Sequence, residues 1–261
     1  MANEGLADAV RDFLQMEIVA IGHIAPHGDA HASNHAILAH TSAPSVFNRG
    51  TAVDLSQPDV ALAEVESFFG DLPHTLWLEA DLIDRDADGL LRGRGYIPMP
   101  NQHGVATTRM PDGRGQVGSH LHAMLQTEPA DAAGIADVSA TGFGLGVDDR
   151  LFFEDLARAI LRHAKPWQHG AIYGIRRDGR LVSVGSLLCT AHAAGISALA
   201  TMPMHRHHGH GTTIATRALH DAAALGFTVA VSVATPDSAK LFEALGFEPV
   251  IDYHVYRQTR P

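Results

Sequence analysis

The stretch of sequence that decides the fold is residues 195–214, GISALATMPMHRHHGHGTTI. Residues 196–201 form a short apolar run, which is typical of a buried strand. Pro203 ends that run, and the glycine-containing segment Arg206-x-x-Gly209-x-Gly211 follows it. The chain is therefore predicted to pass from a buried strand into a tight loop.

A helix is predicted to begin directly after this loop. Ile214, Ala218, Ala222 and Leu225 recur at helical spacing and are expected to form its apolar face. Gly226 follows them, and glycine is the residue that most often ends a helix in a left-handed conformation.

A strand, a glycine loop and a helix N-terminus together predict an anion site. The first N–H groups of a helix have no partner within the helix, and the helix dipole adds partial positive charge there. Gly209 and Gly211 let the backbone approach a phosphate closely, and Thr212 and Thr213 offer hydroxyl groups. We expect this loop to hold a pyrophosphate.

The same stretch resembles the acetyl-CoA motif of the GNAT superfamily, [Q/R]-x-x-G-x-[G/A]. Downstream, Leu245-Gly246-Phe247 resembles the family's later LGF segment. The resemblance implies that the backbone of Leu199, Ala200 and Thr201 pairs with the pantetheine arm, and that residues 207–212 surround the pyrophosphate. The implied cofactor-binding residues are Leu199, Ala200, Thr201, Arg206, His207, His208, Gly209, His210, Gly211, Thr212, Thr213 and Ser238.

The resemblance also implies an activity: acetyl-CoA-dependent transfer of an acetyl group to a primary amine of a small molecule or peptide N-terminus, by direct attack. The tyrosine that often serves as general acid in the family is replaced here by Phe242. No acidic residue occurs in residues 195–201, where many members carry a base. The catalytic residues are therefore left unassigned, and a non-catalytic acyl-CoA-binding sensor is the alternative.

Other residues near these segments have more than one interpretation. Thr235-Pro236 is a suitable helix start, so Ser238 either belongs to a capping turn or contacts the cofactor. Protonating groups would have to come from elsewhere in the chain, although each candidate is better explained as structural or solvent-exposed. These candidates are His192, Tyr253, His254 and Tyr256.

The two halves of the chain resemble each other. Residues 74–81 and 228–235 both predict a strand, and each is followed by an apolar pair and then Gly-aromatic-x-Pro, at Gly95 and Gly246. The pattern favours a tandem repeat with an α+β fold, in which each half is a twisted mixed sheet flanked by helices. The predicted halves are residues 1–112 and 116–261.

The first half is expected to be degenerate. Residues 60–69 should correspond to the helix after the glycine loop, but no R-x-x-G-x-G motif precedes them. One acetyl-CoA per chain is therefore expected, in the second half. Between the halves, Gly113-x-Gly115-x-x-Gly118 matches a dinucleotide fingerprint, but Pro111 and Asp112 precede it and a strand-like pattern follows, so a linker is predicted.

Composition limits the partners. The formal net charge is −10, with only two lysines, which argues against nucleic acid and anionic membranes and suits a cationic amine. No apolar run reaches the length of a membrane span, and the N-terminus lacks a secretory pattern, so a cytoplasmic location is expected. Oligomeric state is left open. The single Cys189 is not expected to act as a nucleophile.

The loop is also rich in histidine, at His205, His207, His208 and His210. Imidazole is a common zinc ligand, so a metal-binding module is a further alternative. A loop whose backbone surrounds a phosphate turns its side chains outward, and we therefore expect no metal. Instead, the histidines are predicted to add positive charge for the coenzyme phosphates as the pH falls toward 6.5.

Overall fold

The computed structural model of the chain describes residues 2–25, 27–41, 46–52, 56–111, 124–126, 131–162 and 168–258. The helices of this part are α1 (Ala2–Ile24), α2 (Pro58–Phe69), α3 (Arg85–Gly93), α4 (Ala132–Phe143), α5 (Val147–Leu161), α6 (His210–Ala224) and α7 (Ala239–Ala244). Its strands are β1 (Asp29–Ala32), β2 (Ala36–His40), β3 (Arg49–Ala52), β4 (His74–Glu79), β5 (Ile97–Thr107), β6 (Met124–Gln126), β7 (His169–Arg177), β8 (Arg180–Cys189), β9 (Ala194–Thr201), β10 (Ala230–Ala234) and β11 (Glu248–Gln258).

The described strands form one sheet in the order β1-β2-β3-β4-β11-β5-β10-β9-β8-β7-β6. The pairs β3–β4 and β9–β10 are parallel, and the other pairs are antiparallel. The predicted mixed α+β fold, with a twisted sheet flanked by helices, is confirmed.

The two halves exchange their last strands. Strand β5 closes the first half in sequence, yet it lies between β10 and β11 of the second half. Strand β11 closes the second half and lies between β4 and β5. Tyr253, for example, pairs with Glu79 on one side and with Gln102 on the other. Each half is thus completed by a strand of the other.

The predicted repeat is visible in the helix ends before these exchanged strands. Gly95 and Gly246 both have positive φ, +85° and +81°. The following aromatic residue closes each cap, since Tyr96 N–H donates to the carbonyl of Leu91 at 3.1 Å, and Phe247 N–H donates to that of Phe242 at 3.0 Å. Both ends have the N–H to carbonyl bond of a Schellman motif, which requires a left-handed residue.

Helix α6 has the predicted apolar face with one exception. Ile214, Ala218 and Ala222 are almost fully buried, whereas Leu225 is half exposed. The prediction for Leu225 is wrong because the helix ends at Ala224, one residue earlier. Gly226 then takes positive φ, +92°, as expected of the residue that stops the helix.

The helices cover both faces of the sheet. Buried residues of α1, α4 and α5 share one apolar cluster with the sheet, as Phe13, Ile135 and Phe153 illustrate. On the opposite face, α6 and α7 pack in a second cluster and α2 and α3 in a third. Helix α1 belongs to the first half but packs on β10, so the halves also share a core.

Helix α1 touches the central strand β9 at a glycine. A Cβ atom added at Gly195 would lie 1.9 Å from Cε2 of Phe13. Because such a distance is impossible for real atoms, only glycine permits the observed approach of the α1 ring to β9. This contact fixes α1 over the beginning of the strand.

Some predictions fall beyond the described part of the chain. The glycine-rich segment at residues 113–118 lies outside the described residues, and the division into residues 1–112 and 116–261 stays a prediction. None of the helices in the described ranges combines the length and apolarity that a bilayer crossing requires.

The strand exchange predicts that the second half does not fold alone. Residues 116–261 produced as a fragment lack β5, so β10 and β11 lose the partner between them and its backbone hydrogen bonds. We expect no cooperative thermal unfolding by circular dichroism. Co-production with residues 1–112 should restore the transition, and a cooperative transition of the fragment alone would contradict the exchange.

The glycine contact predicts a stability loss specific to its position. Gly195→Ala should lower the free energy of unfolding by roughly 1–3 kcal/mol, since the methyl group forces the Phe13 ring away. The matched control is Gly89→Ala in α3, where no atom lies within 4 Å. That change should be neutral or stabilise by up to about 1 kcal/mol. Urea denaturation measures both, and equal effects would refute the contact.

Candidate functional site

The central strands β9 and β10 diverge soon after they meet. Their parallel pairing is limited, within the described residues, to Ala194 with Ala230 and Gly195 with Val231. One further link follows, from the Ser232 hydroxyl to the Ile196 carbonyl at 2.8 Å. Beyond it, β9 continues to Thr201 with one backbone edge unpaired by β10. A wedge therefore opens in the middle of the sheet.

A β-bulge sharpens this divergence. On its other edge β9 pairs with β8, and the register shifts between the pairs Ser186–Ser197 and Val184–Ala200. Ala198 lies in the shifted segment with positive φ, +50°, which is uncommon for a residue with a side chain. Bulges bend and twist the strand that carries them. The bend carries the end of β9 away from β10.

The wedge leads into the glycine loop and the start of α6. His207 and Gly209 have positive φ, +62° and +74°. The helix begins at His210, and the N–H of Thr213 donates to the carbonyl of Gly209 at 2.9 Å. The N–H groups of residues 210–212 have no acceptor among the described residues, as expected for a helix start. The predicted order of strand, glycine loop and helix N-terminus is present, and its binding of an anion stays a prediction.

Thr213 and Arg206 of this loop have hydrogen-bond partners in the protein. Thr213 Oγ1 donates to the Gly209 carbonyl at 2.9 Å. The Arg206 guanidinium donates to the carbonyls of Gly142, at 2.6 Å, and Thr201, at 3.3 Å. Arg206 therefore ties the loop to the end of α4 and the end of β9, and positions the loop rather than projecting freely.

The histidines of the loop differ in their surroundings. His208 is exposed, and its Nδ1 lies 2.6 Å from the Arg206 carbonyl oxygen. His210 is buried; burial lowers its pKa, and the charges of Arg177, His208 and His205 lower it further. His210 is therefore less readily protonated than an ordinary histidine, and the prediction of added positive charge from this loop stays a prediction. Among the described residues, no group of three or more His, Cys, Asp or Glu side chains is arranged for a metal.

The turn before α7 contains Ser238. The regular helix begins at Ala239, later than the predicted start at Thr235-Pro236, because the intervening residues form a separate turn. Ser238 Oγ accepts from the Thr235 N–H at 2.9 Å, and the Ser238 N–H donates to the Thr235 carbonyl at 3.0 Å. Ser238 thus makes the hydrogen bonds expected of a residue in a capping turn.

The position of the family's usual tyrosine is part of the core. Phe242 is 3% exposed and packs edge-to-face on Phe247, with ring centroids 5.1 Å apart. It has no proton to donate and no exposed surface to offer.

The two candidate tyrosines and Cys189 lie in structural surroundings. Tyr256 donates to Asp88 Oδ1 at 2.8 Å, and burial together with Asp88 raises its pKa to about 12. Burial raises the pKa of Tyr253, which lies next to Trp77. Burial also raises the pKa of the Cys189 thiol to about 12. These groups keep their protons near neutral pH.

A cavity that the sequence did not predict adjoins the wedge. Its volume is about 310 Å³, and both halves of the chain line it. Ser197, Ala198 and Thr235 border it at the wedge, while Phe47 and Trp77 border it from the first half. It therefore extends from the opening between β9 and β10 into the junction of the halves.

A carboxylate and a guanidinium face this cavity. Glu17 of α1 accepts a short hydrogen bond from Ser197 Oγ on β9. Burial raises the pKa of Glu17, and the Ser197 hydroxyl and the charge of Arg49 partly oppose that rise. Burial lowers the pKa of Arg49, opposed by the charges of Glu17 and Asp149. The central strand lacks an acidic residue of its own, but α1 brings one to it.

Glu17 was missed by sequence reasoning, although a signal was present. The buried residues of α1 include Phe13, Leu14, Ile18 and Ile21, which form its apolar stripe. Glu17 lies four residues from both Phe13 and Ile21 and so falls within that stripe. A single carboxylate in an otherwise apolar helix face indicates a polar partner or ligand in the interior.

The diverging strands, the loop and the start of α6 lie together in one segment of the chain. Residues 147–247 match the family model for the acetyltransferase (GNAT) family. This segment, which runs from α5 to Phe247 and contains the wedge and loop, is a GNAT domain.

Solved structures extend the likeness to the whole chain. A GCN5-related N-acetyltransferase from Kribbella flavida has a TM-score of 0.67 at 13% identity, covering 98% of this chain and 96% of that one. A tandem GNAT protein from the clavulanic acid biosynthesis pathway has 0.59 at 13%, with coverages of 91% and 85%. A GCN5-related N-acetyltransferase from Sphaerobacter thermophilus has 0.59 at 12%, with 88% and 82%. No match was found among curated proteins. The fold is that of tandem GNAT proteins.

Proposed function

We propose that this chain is an acetyl-CoA-dependent N-acetyltransferase that acetylates a primary amine of a small molecule or of a peptide N-terminus. The observation that carries the proposal is the wedge between β9 and β10, which ends at the unpaired N–H groups of α6. A long ligand with a phosphate at one end and a reactive group at the other fits this arrangement.

The cofactor would bind along the wedge. The edge of β9 that β10 leaves unpaired, at Leu199, Ala200 and Thr201, would pair with the amide groups of the pantetheine arm. The N–H groups of residues 207–212 would hold the pyrophosphate, helped by the dipole of α6. Thr212 is exposed, and its hydroxyl is free to donate to the cofactor. The hydroxyl groups of Thr213 and Ser238 already bond to the protein, so these residues would contact the cofactor through their backbone or through a hydroxyl group that keeps its protein partner.

The reaction itself requires little covalent participation from the protein. The neutral amine attacks the thioester carbonyl, a C–N bond forms, and the C–S bond breaks with its electron pair on sulfur. The amine nitrogen loses a proton as the thiolate gains one. Holding the two reactants in contact supplies a large part of the rate, and polarising the carbonyl adds to it. The wedge supports this role because the thioester would end beside the cavity bordered by Ala198 and Thr235.

One site per chain is expected, in the segment proposed as the second half, residues 116–261. Strands β3 and β4 of the first half form a parallel pair like that of β9 and β10. The sequence before α2 has no R-x-x-G-x-G motif, however.

A non-catalytic acyl-CoA-binding sensor is the second candidate, favoured by the buried Phe242 at the usual tyrosine position. A screen of primary amines with acetyl-CoA separates the two, with free thiol as the readout and calorimetry as the binding measurement. We expect one acetyl-CoA per chain and release of coenzyme A with at least one amine. Binding without turnover of any amine would favour the sensor, and two equivalent sites would contradict the degenerate first half.

The glycine of the loop provides a sharper test of the cofactor site. Gly209→Val should weaken acetyl-CoA binding more than tenfold, about 1.4 kcal/mol, because a β-branched residue resists its positive φ and the loop must rearrange. Calorimetry measures the affinity.

The matched control is Gly226→Val, at the other end of the same helix. Gly226 also has positive φ, and no atom lies within 4 Å of a Cβ built at either glycine. Valine should therefore strain the backbone to a similar extent at both positions. Gly226, however, is separated from the loop by the whole length of α6. Both variants should lose similar stability, but only Gly209→Val should lose binding. Binding within threefold of wild type in Gly209→Val would move the site elsewhere.

A further inference from the structure

The cavity beside the wedge has the properties of an acceptor pocket for a particular class of amine. Its border at Ser197, Ala198 and Thr235 is the point where the two central strands separate. A ligand in the cavity would therefore meet the reactive end of a molecule lying in the wedge. This argument rests on the proposed function for the position of the donor, but the pocket itself is a feature of the described residues.

The body of the pocket is apolar. At about 310 Å³ it holds a ligand of one ring and a short chain, and rings surround it. The aromatic residues that line it are Phe47, Trp77, Phe143, Phe152 and Phe153. Aliphatic side chains, including Ile21 and Leu156, fill much of the remaining wall. Such a wall favours a ligand with a large apolar surface over a polyamine or a sugar.

The polar groups of the pocket offer acceptors for N–H donors. Glu17 lines the pocket, and its Oε1 accepts a hydrogen bond from the Ser197 hydroxyl. Gln102 Oε1 is buried and also lacks a partner, whereas its Nε2 donates to the Pro100 carbonyl at 3.3 Å. A buried acceptor without a donor is costly unless a ligand supplies one. A carboxylate, on Glu17, and an unpaired amide oxygen, on Gln102, thus line one pocket and match a protonated amine.

The charges in the pocket favour a cation over an acid. The Arg49 guanidinium is 5.3 Å from the Phe47 ring and 5.1 Å from the Trp77 ring, and its Nε donates to the Val46 carbonyl. Both Glu17 and Asp149 act on its charge. The positive charge of Arg49 is therefore offset by two carboxylates, Glu17 in the pocket lining and Asp149 outside it, and a carboxylate on the ligand would add a third. An ammonium group would neutralise the surplus.

We propose that this pocket binds a primary amine with an aromatic or similarly bulky apolar body and no acid group, and that Glu17 receives its ammonium group and accepts its proton. The ammonium N–H passes its proton to Glu17 Oε2, and the freed lone pair attacks the thioester carbonyl carbon. The C–S bond then breaks, the thiolate takes the second proton from nitrogen, and Glu17 returns its proton to solvent. One proton is released per turnover.

The surroundings of Glu17 suit this role. A carboxyl whose pKa is raised by burial accepts a proton more readily near neutral pH than an exposed one. Arg49 from β3 is the charged group that faces Glu17, and Asp149 from α5 acts on Arg49. Because the base form is needed, kcat/KM should rise with pH through the pKa of Glu17, which lies above that of an ordinary glutamate.

The test uses the full chain with phenethylamine, and with phenylalanine, which adds only a carboxylate, and spermidine, which lacks the ring. Calorimetry measures amine binding without acetyl-CoA, and release of coenzyme A measures turnover. We expect phenethylamine to bind and react at least tenfold better than the other two. Glu17→Gln should lower its kcat/KM about 100-fold or more and remove the acidic limb of the pH profile, with acetyl-CoA affinity within threefold of wild type.

Control variants distinguish this pocket assignment from the proposed acetyltransferase function. Glu64→Gln, a surface carboxylate bonded to His31, should leave every parameter unchanged. Gln102→Leu should raise KM for phenethylamine several-fold without altering the pH profile, and it serves if Glu17→Gln proves unstable. Suppose that acetyl-CoA does not bind, whereas phenethylamine binds to the wild type and not to Glu17→Gln. The proposed function is then wrong, but the assignment of the pocket to an amine holds. Absence of phenethylamine binding, equal use of phenylalanine, or a Glu17→Gln variant within threefold of wild type would overturn the pocket assignment.

Discussion

The antiparallel pairing of β5 with β11 is the contact on which the remaining structure depends. Each of these strands ends one half in sequence and lies within the sheet of both. Without this pairing, β11 on β4 and β5 on β10 would each become an edge, and an exposed edge strand leaves its backbone groups unpaired. The pairing also sets how far β4 lies from β10, and so determines the width of the space between the halves.

The cavity is a direct result of that spacing. Gln102 lines it from β5, and Trp77 lines it from β4, two strands away in the sheet. Helix α1 crosses the sheet and brings Glu17 to Ser197, held in place by the close fit of Phe13 on Gly195. The first half thus contributes walls and charges to a space that opens at the central strands of the second. A degenerate half without a glycine loop still has a part in the chemistry we propose.

The structural features that depend only on residues close in sequence could be predicted. Strand β9, the apolar face of α6 and the two glycine caps at Gly95 and Gly246 all follow from local spacing and from the conformational freedom of glycine. The local errors have local causes as well: Leu225 lies just past the helix end, and an extra turn delays α7 to Ala239.

What depends on distant residues could not be predicted in this way. The hydrogen bond between Glu17 and Ser197 joins positions 180 residues apart, so no pattern within a segment reveals it. The strand exchange is hidden for a different reason. The two halves end in the same motif, so β5 and β11 carry similar signals, and an apolar strand pattern specifies that a partner is needed without specifying which partner.

The strand exchange affects how the two halves of such a chain can diverge from each other in sequence. Two separate subunits that traded their last strands would form a domain-swapped dimer, whose integrity depends on protein concentration. In a single polypeptide the same exchange is intramolecular, and its effective concentration is set by the connecting chain. Dilution then cannot separate the partners. A symmetric dimer must also keep two copies of every feature, whereas in a fused pair one copy can keep the glycine loop while the other loses it and changes shape.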